Sequence, residues 1–447
     1  MRVAPAAVAA LAMVVGGASG LDAQLTLRLT SVPANTPAGA PIFVAGSFNR
    51  WSPGDTAYRL MPDASGGYAL TLGDAVRGPV EFKFTLGSWE RGEVDAAGAG
   101  VSNRTFTVPA TGAATYTGTV AGWQDPAKLP PKVHTASPSV SVVSAEFAIP
   151  QLNRTRRVWI YLPPGYATSR ERYPVLYMHD GQNVFDAFTS FSGEWGVDET
   201  LDSLRAAGDR GVIVVAVDNG GEHRLDEYSP WKNPRYGGGE GDAYVEFLVR
   251  TLKPYIDRRY RTRTDRASTG IAGSSMGGLI SLYAALKYPD VFGRVGVFSP
   301  ALWFAPQVYA YARAARPRTD SRIYFVTGGR EGDTPEVYVA DQRRMVDSLA
   351  AAGFRVGVQV DSVIRPDGMH AEWFWRREFP AAYRGLFAER GGQSAAPAPL
   401  PTSRGRKAPA TSSICGGVAI APSSGVQPAS ANRPTPPNPT QGAPCAG

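Results

Sequence analysis

Between Gln24 and about Val120, apolar and polar residues alternate over short segments: LTLRLTSVP, PIFVAGSFN, GGYALTLGD, GPVEFKFTLGSW and NRTFTVP. Gly, Pro or Asp breaks each of them after a few residues. A period of two sends successive side chains to opposite faces, so this region is expected to form the short strands of a small immunoglobulin-like all-β sandwich, with no helical periodicity. The segment AGWQDPAKLPPKVHTASPSV that follows is rich in Pro and polar residues and reads as a linker over residues 121–141. From Val142 the texture changes. The apolar runs RRVWIYLP, YPVLYMH, GVIVVAV, ASTGIAG, RVGVFSP, SRIYFVT and RVGVQVD are predicted strands. Between them lie the helical patterns DAYVEFLVRTLKPYID, MGGLISLYAALKYP and PEVYVADQRRMVDSLAAAG. Strand and helix in alternation imply a mostly parallel sheet covered on both faces over residues 142–390, with chemistry at the carboxyl ends of the strands.

The two ends of the 447-residue chain add a compartment but no chemistry. Residues 1–23 carry one Arg, an apolar run from Ala6 to Val15 and the small residues Gly16 to Gly20, the layout of a secretory signal peptide. Export to the periplasm or beyond is expected, with no integral membrane segment in the mature chain, since no other run is long and apolar enough to span a bilayer. Residues 391–447 are dominated by Pro, Ala, Ser, Gly and Thr, a composition that cannot bury a core and is expected to be disordered. Both cysteines, Cys415 and Cys445, fall there, so they do not staple the fold. The formal charge of +7 comes from scattered Arg, without a basic run or interleaved aromatics, and excludes a nucleic-acid partner.

The chemistry centres on IAGSSMGGLISLY, where Gly273, Ser275 and Gly277 form G-x-S-x-G between a predicted strand and a predicted helix. A sharp turn in that setting pushes the serine into an exposed, strained position. The flanking glycines are required because a side chain would clash with the adjoining strand or helix, and the helix N-terminus favours developing negative charge. Ser275 is therefore the expected nucleophile. It needs a base, and of His134, His179, His223 and His370 only His370 follows it, in IRPDGMHAEWFWRREF. The orienting acid belongs after the strand SRIYFVT, in a loop that offers Glu331, the nearest, then Asp333 and Glu336, with Asp367 a further candidate and a dyad without an acid the remaining alternative. The oxyanion donors are expected from the backbone of Met276 and of Gln182, with Gly181 next, in the turn DGQNVFD. His179 and Asp180 in that turn read as structural, and HDGQN offers no ligand set for a metal. Asn219, Glu222, His223, Tyr228 and Trp231, in the loop after GVIVVAV, are expected to line the acyl or alcohol pocket.

Taken together, YPVLYMHDGQN, VIVVAVDNGG, GIAGSSMGG, FSPALW, the GGREG loop and GMHAEW resemble a family of serine esterases in the α/β-hydrolase superfamily, which includes enterochelin and feruloyl esterases. The resemblance covers about Ala145 to Glu389 and implies Ser275 as nucleophile, His370 as base and Glu331 as acid, where many relatives carry Asp. VAGSFNRWSP, GGYALTL and VEFKFTLGSW resemble the β-sandwich modules that bind starch or glycogen, which implies that Trp51 and Trp89 form a stacking platform. Related sandwiches also precede enterochelin esterases and help shape their active site. The expected activity is hydrolysis of a siderophore-, feruloyl- or acetyl-like ester, as a small molecule or attached to a polysaccharide, through an acyl-enzyme and without a cofactor. Acyl transfer to a sugar, peptidase work, and glycan binding beside an inactive hydrolase domain are the rival readings.

Overall fold

The computed structural model describes residues 24–388, except residue 50 and the short stretches 74–75, 99–100, 102, 129–130, 192 and 332–334. The expected signal peptide, the tail with its two cysteines and the alternative acid Asp333 lie outside the described residues.

Apart from short 3-10 turns, the regular elements described in the N-terminal region are strands, chiefly β1 (Gln24–Ser31), β2 (Ile42–Gly46), β3 (Arg59–Pro62), β4 (Tyr68–Leu72), β5 (Gly78–Thr85), β6 (Arg104–Val108) and β7 (Ala113–Thr119). They hydrogen-bond in the order β6-β5-β2-β3-β4-β1-β7, antiparallel except for the β1–β7 pair. The alternation does what it predicts. Leu25, Leu27 and Leu29 of β1 meet Val80, Phe82 and Phe84 of β5 in one core, closed by Val120 and Trp123.

A second, eight-stranded sheet follows: β8 (Val140–Ile149), β9 (Arg154–Tyr161), β10 (Val175–Met178), β11 (Ile213–Val217), β12 (Thr269–Ser274), β13 (Arg294–Phe298), β14 (Arg322–Gly328) and β15 (Val360–Arg365). Its order is β8-β9-β11-β10-β12-β13-β14-β15. The first two strands are antiparallel to their neighbours and all later pairs are parallel. Every residue of β11, β12 and β13 is buried, as helices on both faces require. The main helices are α1 (Val197–Ala206), α2 (Gly241–Phe247), α3 (Lys253–Arg259), α4 (Met276–Lys287), α5 (Pro335–Ala351) and α6 (Glu372–Phe387). Helix α4 is buried all round, and full burial of each Leu or Ile there contributes about 2 kcal/mol.

Two elements depart from the expected pattern. The strand read over RVGVQVD starts later, at Val360. Gly357 takes φ +77° and Gln359 N–H donates to the Arg355 carbonyl, so the first half of that apolar run is a turn. The helix DAYVEFLVRTLKPYID is interrupted by a π turn over Leu248–Leu252. Pro254 has no N–H for the carbonyl four residues back, so the wider turn falls just before it.

Candidate active site

Ser275 joins the end of β12 to the start of α4 with φ 55° and ψ −122°, a conformation an L-residue adopts at a cost of about 1–3 kcal/mol. Backbone hydrogen bonds hold it there. Its N–H donates to the Phe298 carbonyl at 3.0 Å, and its carbonyl accepts from Gly278, Leu279 and Ala301 at 3.1, 3.1 and 3.0 Å. Gly273 is a steric necessity, since a Cβ there would lie 2.9 Å from the Gly277 carbonyl carbon, and Gly277 is tightly packed, with a Cβ 3.2 Å from His179 Cβ. Ser275 Oγ has no hydrogen-bond partner among the described residues.

His370 stands in the loop between β15 and α6. Its Nδ1 is 2.9 Å from Glu331 Oε2, and the Glu331 side chain is fully buried just past the end of β14. Glu331 Oε1 accepts from Gly328 N–H and from Ser299 Oγ, the latter at 2.6 Å. Tyr338, tilted by 49°, and Trp375, nearly perpendicular to the ring, frame the imidazole at centroid distances of 5.1 and 5.2 Å. Asp367 takes no part: its carboxylate accepts from Arg377 Nη2 at 3.1 Å, on the exposed side of the loop. The structure thus brings Glu331 and His370 together. It leaves the His370 to Ser275 hydrogen bond unmade, a kind of link that in unliganded enzymes often tightens only around the substrate.

The turn after β10 packs against the first turn of α4. Asp180 has φ 54° and opens the 3-10 turn Gly181–Asn183. Its buried carboxylate accepts from Arg224 Nε at 2.7 Å, Arg224 Nη2 at 3.0 Å and Asn219 Nδ2 at 2.6 Å. Burial alone would raise the Asp180 pKa, but the Arg224 charge and these hydrogen bonds outweigh it and hold the group below the usual carboxylate range. His179 beside it is buried, with Nδ1 3.0 Å from the Tyr244 hydroxyl. Burial, which Asp180 opposes and Arg224 reinforces, pushes its pKa down to about 4, so the ring is neutral. Gln182 uses its side-chain oxygen to accept from Asn219 N–H at 3.1 Å. The Met276 N–H opens α4, where N–H groups lack intrahelical partners.

Three of the residues expected to line the pocket have defined partners in the structure. Tyr228 is a correction: it is fully buried, and its hydroxyl accepts from Asp180 N–H at 3.2 Å beneath the turn. Asn219 is committed to the same turn, through Asp180 and by accepting from Gly221 N–H at 3.0 Å. Trp231 packs edge-on against Tyr283 and Tyr311 at 5.2 and 5.7 Å. On the sandwich, Trp51 and Trp89 do lie together, with ring centroids 6.3 Å apart and planes 38° apart, and Trp89 is 43% exposed. Sequence reasoning missed Arg224 and Ser299.

Comparison with known proteins bears on the family of the second region. The family described as "Putative esterase" matches residues 149–386, more than half of the chain. The uncharacterized protein YbbA of Bacillus subtilis is 27% identical over 245 residues, 52% of this chain and 93% of YbbA. An alpha-amylase of Niallia circulans is 46% identical over 102 residues, 23% of this chain and 8% of the amylase. An endo-1,4-beta-xylanase/feruloyl esterase of Xylanibacter ruminicola is 26% identical over 232 residues, 51% of this chain and 29% of that protein. This chain therefore spans under a third of the latter two relatives. With an α/β sheet, a strained serine between strand and helix, and a family match across that whole region, the chain belongs to the esterase family of the α/β-hydrolase superfamily, a family of carboxylic-ester hydrolases.

Proposed function

We propose that this chain is an exported serine esterase that works through an acyl-enzyme on Ser275. The observation that carries the reading is the buried Glu331 carboxylate on His370 Nδ1, on loops at the same sheet edge as the strained serine. An ionised carboxylate only accepts hydrogen bonds, so it fixes His370 as the Nδ1–H tautomer and leaves Nε2 with the lone pair that takes the Ser275 proton. Ser275 Oγ then attacks the ester carbonyl carbon. The Met276 and Gln182 backbone N–H groups receive the oxyanion, and collapse expels the alcohol, protonated by His370. Water activated by the same imidazole releases the acid.

The substrate class we propose is a siderophore-, feruloyl- or acetyl-like ester. The relative named endo-1,4-beta-xylanase/feruloyl esterase supports the feruloyl option. Two observations bear on the sandwich. Arg235 Nη2 donates to Ser47 Oγ at 3.0 Å, which supports a role in positioning the loop after Trp231. The Trp51–Trp89 pair supports glycan binding, since the apolar C–H face of a sugar suits an indole face.

The test is hydrolysis of p-nitrophenyl acetate and butyrate by the wild type, Ser275→Ala and His370→Ala, with the acid product quantified in the presence of a sugar acceptor. Loss of turnover in both variants and stoichiometric free acid are expected. Acyl-sugar formed in place of free acid would move the reading to a transferase.

A further inference from the structure

We infer that Ser299 is a positioning residue for the hydrolytic reaction, acting only through Glu331; this rests on the reading of Glu331 as the acid. Ser299 is the residue after β13, fully buried, with φ 42°, and its N–H donates to the Val326 carbonyl at 2.7 Å. A left-handed serine between two strand ends is a strained choice, and the strain aims its hydroxyl at the acid.

The direction of every hydrogen bond here follows from the chemistry of the groups. Trp375 Nε1 lies 2.9 Å from Ser299 Oγ, and an indole nitrogen can only donate. Ser299 Oγ lies 2.6 Å from Glu331 Oε1, and an ionised carboxylate can only accept. The single Ser299 proton is therefore committed to Glu331, and the chain runs one way, from Trp375 through Ser299 to Glu331 Oε1. Gly328 N–H donates to the same oxygen. With Oε1 occupied twice, Oε2 is the oxygen left for His370 Nδ1.

This arrangement has a specific purpose for a glutamate. Glu has one more rotatable bond than Asp, so a lone Glu331 could swing its carboxylate off the imidazole. Two donors on one oxygen pin that extra rotation. Trp375 takes part twice, by fixing the Ser299 proton and by packing edge-on against the His370 ring at 5.2 Å.

The experiment is a double-mutant cycle with Ser299→Ala, Glu331→Gln and the combination, read as kcat and KM separately on p-nitrophenyl butyrate. Removing one hydrogen bond to a charged group lowers kcat by about 10- to 100-fold in Ser299→Ala, with KM within about twofold. The combined variant is expected to be no slower than Glu331→Gln alone, because a serine that acts through the acid has nothing left to act on. Trp375→Phe, which keeps an aromatic ring, is expected to lower kcat by about 2- to 10-fold and serves as the second probe should Ser299→Ala fold poorly. Wild-type kcat in Ser299→Ala or in Trp375→Phe, or a further tenfold loss in the combined variant, would overturn the role of Ser299 while leaving the acid in place. Wild-type kcat in Glu331→Gln would instead overturn the reading of Glu331 on which the inference stands.

Discussion

Two histidines stand at the same edge of the central sheet, and their surroundings assign them opposite tasks. His370 has a fully buried carboxylate 2.9 Å from Nδ1 and a side chain that is 12% exposed, so an anion is ready to stabilise the imidazolium formed when it takes a proton. His179 has a tyrosine hydroxyl on Nδ1, an Nε2 without a partner among the described residues, and a pKa pushed down to about 4 by burial. On the proposed reading the same side chain is a base in one loop, while in the other it is a neutral packing group. What separates them is the identity of the atom on Nδ1 and the access of Nε2.

The largest effect that would break this contrast is on turnover. His370→Ala is expected to lower kcat by about 10⁴-fold or more, and His179→Gln by no more than about tenfold, in initial rates on p-nitrophenyl butyrate. Comparable losses in the two variants would erase the distinction. The next effect is on stability. Arg224→Gln strips the buried Asp180 of its cation and is expected to cost about 3–5 kcal/mol in urea unfolding, part of which Asp180→Asn should restore when the two are combined.

A smaller effect sharpens the contrast through pH. His179 is neutral in the folded protein down to about pH 4 but binds a proton near pH 6.5 when unfolded, so the unfolded state holds more protons across that window. The His179 contribution to stability, read as the difference between wild type and His179→Gln, should be level above pH 6.5 and fall as pH drops toward 4, by roughly 3 kcal/mol. His179→Gln should lose that slope, and urea midpoints at pH 7.5 and pH 5 would show it. The smallest effect concerns the sandwich. In affinity electrophoresis through starch, glycogen and xylan, retardation of the wild type should weaken when Trp51 and Trp89 are both changed to Ala, with kcat on a soluble ester unchanged.

How far the sequence reached depends on whether a signal is local. The β12, turn, α4 unit around Ser275 was legible because the apolar run, the two glycines and the following helix sit within 20 residues, and each obeys a steric rule. His370 was legible by chain order, and Glu331 by its distance from a strand end. The clamp on Asp180 was not, since Arg224 is 44 residues away and reads locally as one more surface cation. Tyr228 was misread for the same reason. A tyrosine in a Gly-rich loop suggests a pocket wall, yet its ring fills the space beneath the turn, against His179 at 5.1 Å and Tyr244 at 5.2 Å. Ser299 looked like the end of a strand, and only the folded protein places it between Trp375 and Glu331. Propensity also gave way to tertiary structure at Arg355–Gln359, where an apolar run turns before the strand begins.

The central claim is a covalent acyl-enzyme on Ser275, and the most direct test is acid-quenched mass spectrometry of the protein mixed with an excess of p-nitrophenyl butyrate. The account predicts a butyryl adduct on the peptide containing Ser275 in the wild type and none in Ser275→Ala. An adduct on another residue, or a Ser275→Ala variant that turns over at the wild-type rate, would contradict it.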